Sequence, residues 1–112
     1  MNKDPEWEIH FNSEIQKAFL ARNSGNEGKA RVCARRAVGI AIGEYLHRIQ
    51  IPDPGNSAYE RLVLFNSLPF IAESLKEISA HFLIRVTPDH DLPIEADLIQ
   101  EAIYLKDKLL NS

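Results

Sequence analysis

Arg85 and His90 are the two residues best suited to proton and phosphate chemistry, and four residues separate them in "RVTPDH". An imidazole exchanges a proton near neutral pH. A guanidinium stabilises the charge that grows on a phosphate as a ribose–phosphate bond breaks. Arg-x4-His therefore carries the parts of a metal-independent ribonuclease. The same residues also have a purely structural use, with Arg85 capping the preceding helix and His90 solvated in a Pro-Asp turn. His81 stands one helical turn before Arg85.

A second constellation lies in "KARVCARRAVGIAIGEYLHRI", residues 29–49. At roughly 100° per residue, Ala34, Val38, Ala41, Tyr45 and Ile49 line one side of a helix, flanked by Ile42 and Leu46. Arg31 and Arg35 project toward that apolar side. Lys29, Arg36 and His47 take the wetter side, with Ile40 and Cys33. An inward guanidinium needs partners. One source is the acidic end of the chain: Arg22 to Arg36 holds five basic residues and one acid, whereas Asp89 to Lys108 holds six acids and two bases. The other is a phosphate ligand, gripped by Arg31, Arg35 and Arg36 through their planar forks.

Gly39 and Gly43 share a face of the same helix. Each costs about 1 kcal/mol relative to alanine there, so a close packing contact is expected, within the chain or across a dimer interface. Leu83 and Ile84 depart from the stripe Ile71, Leu75, Ile78, Phe82, and Leu64 and Phe65 do the same one helix earlier. Such residues either form an interface patch or are enclosed by a kink at Pro69.

The elements that must position these residues are helical. Asp4-Pro5 opens a first helix whose Trp7, Phe11, Ile15, Ala18 and Phe19 form one stripe to about Arg22. A loop over 23–28 follows, in which Ser24 and Glu27 have capping-box spacing, so the second helix starts as early as Asn26 and runs to about Gln50. Ser57-Ala-Tyr-Glu60 is another capping box, opening a short third helix with Tyr59, Leu62 and Val63 on one face. A fourth helix restarts at Pro69 and ends at Thr87-Pro88. After a loop to Pro93, Leu98, Ala102, Leu105 and Leu109 stripe the last helix. No segment alternates with period two and no repeat is visible, so the class is all-α: one domain over 1–112, an up-and-down bundle of four long helices plus one short one.

Composition agrees with a folded, soluble chain: 45% hydrophobic and 26% charged residues are globular values, and a net charge of −3 removes a globally basic nucleic-acid binder. Cys33 is the single cysteine, so no intrachain disulfide forms and a reducing, cytoplasmic setting is expected. The opening "MNKDPEWE" lacks signal-peptide order, and no apolar run is long enough to span a bilayer. No zinc-finger spacing, His-Glu-x-x-His pattern, Gly-rich phosphate loop or Ser-His-Asp arrangement is present, so neither metal nor cofactor is expected.

The stretches "ARVCARRAVGIAIGEYL" and "RVTPDH", set in an all-α chain of this length, resemble a HEPN domain. The resemblance implies a small helical bundle that commonly dimerises, in a family that holds metal-independent ribonucleases as well as silent members binding RNA, nucleotides or protein partners. Arg85 and His90 match the ends of the ribonuclease motif, but Val86 stands where active members usually carry a polar residue. A homodimeric binding module contacting RNA or nucleotide phosphates through Arg31, Arg35 and Arg36 is therefore favoured. The alternatives are a ribonuclease using Arg85 and His90, and a protein-interaction module with no nucleic-acid role.

Overall fold

The computed structural model describes residues 5–55, 57–85 and 92–111. Among them the chain forms five helices and no strand: α1 (Glu6–Asn23), α2 (Glu27–Arg48), α3 (Ala58–Ser67), α4 (Glu73–His81) and α5 (Leu98–Leu110). The extents, 40 × 38 × 23 Å, describe a slab. Helices are about 10–12 Å across with side chains, so the slab is two helices thick. None of the described helices is long and apolar enough to cross a membrane.

The first and last stripes behave as their spacing predicts. Phe11 and Ala18 are buried on α1, and Leu98, Ala102 and Leu105 are buried on α5. Between them α2 is central, packed by α1, α3 and α5. That position explains its composition: Ala30, Ala34, Ala37 and Ala41 are fully buried, and their small side chains let neighbouring helices close in. Cys33, expected on the wetter side, is also buried, because a helix packed from several directions has little wet side left.

Gly39 receives α3 most closely. A methyl group there would stand 2.7 Å from the Ala58 Cβ and 2.9 Å from its Cα, and one at Gly43 would meet the Arg61 guanidinium at 2.9 Å. The close contact expected of this glycine pair thus falls within the chain.

Caps fix the helix ends. Gly25, at φ 82°, closes α1 with the paired bonds of a Schellman turn, Asn26 N–H to Ala21 O at 2.8 Å and Gly25 N–H to Arg22 O at 3.0 Å. Asn26 then caps α2 by accepting from Lys29 N–H at 3.0 Å. The Ser24–Glu27 box is not used: the Ser24 hydroxyl donates back to Ala21 O at 2.9 Å, because Ser24 belongs to the end of α1. The Ser57 box does cap α3, with Glu60 N–H donating to Oγ at 3.1 Å.

The fourth helix departs from expectation at both ends. Leu68 is extended (φ −73°, ψ 124°), as a residue before proline prefers, but Pro69 opens a turn rather than a helix. Helix begins only after Ala72, itself at ψ 139°. It ends at His81, where the N–H groups of Phe82, Leu83 and Ile84 reach back three residues to Ser79, Ala80 and His81. Those shorter loops tighten and end a helix. With nine residues, α4 is not one of four long helices.

The α3–α4 hairpin is held by a polar clasp: Asn66 Nδ2 donates to Ser79 Oγ and to Lys76 O, both at 2.9 Å. Ser79, fully buried, also donates to Lys76 O. The hydrogen bonds of a buried hydroxyl satisfied in this way offset the cost of removing it from water.

Candidate functional site

Arg31 and Arg35 lie one turn apart on α2, both half-buried, and line one wall of an open groove of about 700 Å³. The turn after α4 supplies the facing wall, with Phe82, Leu83, Ile84 and the exposed Arg85. Gly28 and Val32 continue the α2 side, and Tyr59 of α3 closes the edge. Three arginines from two distant parts of the chain therefore line one concave surface.

Arg35 is anchored at that surface. Its Nε donates to Phe82 O at 2.8 Å. Burial, and then the like charge of Arg31, hold its pKa below the ordinary arginine value. An arginine nonetheless stays charged in a protein, so the groove has a fixed positive lining.

The sequence-derived candidates divide as follows. Arg31, Arg35, Arg85, Leu83 and Ile84 come together in the groove. Arg36 does not: it borders a separate hollow with Glu14, Ile40 and Arg61, because one step along a helix turns a side chain by about 100°. His90 lies outside the described residues. Gly39 and Gly43 lie against α3. Leu83 packs partly on the core, and both Leu83 and Ile84 are half-buried.

The segregated charges do meet, at Arg22. Its guanidinium contacts Glu27 at 2.8 Å and Asp97 at 3.1 Å, so the basic stretch and the acidic end are joined. Glu27 first, then Asp97, hold the Arg22 pKa well above its ordinary value. His81 Nδ1 lies 2.9 Å from the Glu101 carboxylate and ties α4 to α5.

Two features escaped the sequence. Tyr59 was expected on a shared face with Leu62 and Val63, yet it is 64% exposed at the groove edge while Leu62 and Phe65 carry the burial. An aromatic thus stands beside the arginines although none adjoins them in sequence. The second is Arg61, which donates to Asp53 (2.6 and 3.1 Å) and to Gly39 O (3.1 Å) and so ties the 49–57 connection to α2. No local signal announces a bond of this kind, since the partners meet only after α3 has docked.

Another cleft, of about 770 Å³, opens beside the end of α2 around His47, Arg48 and Asp53. Its charges are already engaged: Arg48 bonds Glu44 at 3.0 Å and Leu110 O at 3.0 Å, and Asp53 holds Arg61. The arginine groove is the better candidate because three arginines, Arg31, Arg35 and Arg85, line it together. Comparison with protein-family models, with curated protein sequences and with solved structures finds no match to this chain.

Proposed function

We propose that this chain is a HEPN-like, homodimeric binding module whose groove contacts the phosphates of RNA or of a nucleotide through Arg31, Arg35 and Arg85. The observation that carries the reading is the convergence of these three arginines on one groove. Planar guanidinium forks suit phosphate oxygens, and a concave basic surface concentrates anions. Arg36 is dropped from the contact set because it borders another hollow.

The test is fluorescence polarisation of a labelled RNA oligonucleotide at rising salt, with wild type and an Arg31→Gln/Arg85→Gln variant. Binding that weakens steeply with salt, and that the double substitution removes, is expected. No association at low salt would sink the reading. Sedimentation of the free protein tests the dimer.

The position of Arg85 on the groove also favours a second reading, cleavage of RNA by Arg85 and His90. It predicts that His90→Ala abolishes cleavage and leaves the fold and the RNA affinity intact. A partner recovered equally well after nuclease treatment would instead favour the protein-interaction role, with Leu83 and Ile84 in the contact.

A further inference from the structure

We infer, resting on the phosphate reading above, that the groove takes an unpaired nucleotide, whose base stacks on Tyr59 while its phosphates lie on the arginines. Tyr59 is the most exposed of the large hydrophobic side chains in the described structure at 64%, and it stands at the edge of the same groove as Arg31, Arg35 and Arg85. Its helix is buried through Leu62 and Phe65, so the ring contributes little to the core. Val32, 41% exposed, and the half-buried Leu83 and Ile84 give the groove further apolar surface.

A ligand consisting of phosphate alone would contact the arginines and leave these apolar groups wet. A base attached to that phosphate covers them. Stacking on an aromatic ring is sequence-tolerant, because every base has a π-face. The groove volume, about 700 Å³, lies within the range of about 300–1,000 Å³ common to sites for small molecules.

A duplex fits poorly. Its base faces are hidden in the stack, and its convex exterior does not enter a groove in which Arg31 and Arg35 are half-buried. Tyr59 is thus the residue that separates single strands from duplexes and from bare polyphosphate, and the arginines bind whatever anion enters.

The experiment measures polarisation of a fluorescein-labelled RNA hexamer, displaced by unlabelled hexamer, by the same sequence as a duplex, or by tripolyphosphate. Wild type, Tyr59→Ala, Tyr59→Phe and Arg31→Gln/Arg85→Gln are compared at low salt, with circular dichroism to verify each fold. Tyr59→Ala is expected to weaken the single strand about tenfold or more. It leaves tripolyphosphate unchanged, Tyr59→Phe stays near wild type, and the double arginine variant loses both ligands. Equal loss of hexamer and tripolyphosphate in Tyr59→Ala, no loss of either, or a duplex competing as well as the single strand would overturn the stacking role. In those cases the phosphate reading stands as long as the arginine variant fails to bind. Absence of binding by both hexamer and tripolyphosphate to wild type would remove the phosphate reading, and this inference with it.

Discussion

Arg35 Nε donates to the main-chain carbonyl of Phe82 over 2.8 Å, joining residues 47 positions apart. Phe82 is the C-cap of α4, where helical carbonyls have no partner within the helix and the dipole favours a cation. An arginine on the inward side of α2 therefore meets an acceptor that is neither an acid nor solvent. The bond also fixes the turn that carries Leu83, Ile84 and Arg85, so one contact stabilises the fold and shapes the groove.

Replacing Arg35 by Met keeps most of the stem and removes the donor. The variant is expected to lose about 1–2 kcal/mol, the usual effect of leaving a partly buried carbonyl unmet. Urea denaturation measures the loss as a lower midpoint at unchanged slope. An unchanged midpoint would mean that the bond contributes nothing.

The two helix glycines separate by what a methyl group would touch. At Gly39 it would run into Ala58 Cβ and Cα at 2.7 and 2.9 Å, and α3 must move to admit it. Overpacking costs about 1–3 kcal/mol, more than the gain of about 1 kcal/mol in helix propensity, so Gly39→Ala destabilises. At Gly43 the obstacle is the far end of the Arg61 side chain at 2.9 Å, which can shift. Gly43→Ala should come out within about 0.5 kcal/mol of wild type, the helix gain offsetting weakened Arg61 contacts. A Gly39→Ala protein as stable as wild type would show that the α2–α3 approach is looser than described.

Gln50 sits at φ 61°, closing α2 with Ile51 N–H on Leu46 O at 3.0 Å and Gln50 N–H on His47 O at 3.2 Å. This is the same turn that Gly25 makes at the end of α1, here with a side chain in left-handed backbone. The conformation costs about 1–2 kcal/mol for a residue with a Cβ. Glycine removes that strain but adds about 0.4–1 kcal/mol of unfolded-chain entropy. Gln50→Gly is therefore expected to stabilise by about 0.5–1 kcal/mol, read as a higher thermal midpoint. A lower midpoint would show that the Gln50 side chain stabilises the turn in its own right.

These cases show what the sequence can reveal. Phe11, Ala18, Leu98, Ala102 and Leu105 were legible because a repeating stripe reports burial directly. The cap at Ser57 was legible because its partner stands three residues away. Tyr59 was not: its spacing from Leu62 and Val63 suits a buried stripe, and only the angle at which α3 meets Gly39 decides which side of the helix faces outward. The convergence of Arg85 with Arg31 and Arg35 was hidden for the same reason, since it depends on α4 ending at His81 rather than continuing.

Acid should loosen the α2–α3 connection first at Asp53. Hydrogen bonding from Arg61 holds the Asp53 carboxyl below its ordinary value of 3.8, and Arg22 likewise holds Glu27 below 4.5. A depressed folded pKa means the contribution is complete above the ordinary value and is lost as pH falls through the folded one. Both groups are nearly half exposed, so each effect is small. Between pH 4 and 2, Asp53→Asn should show a shallower fall in denaturation midpoint than wild type, from a lower starting point at pH 7. An identical pH slope in the two proteins would remove Asp53 from the acid response.

Arg36 provides the control for the site itself, because it neighbours Arg35 in sequence yet borders a different hollow. If RNA affinity arose from the overall basic character of α2, losing any one of its arginines would weaken binding alike. If the groove is the site, Arg31→Gln and Arg85→Gln each lower the slope of log affinity against log salt by about 0.7, the value for one phosphate contact on a single strand. Arg36→Gln leaves both slope and affinity near wild type. Equal losses at positions 31 and 36, with none at 85, would point to diffuse attraction by α2, and the groove would no longer be needed to explain binding.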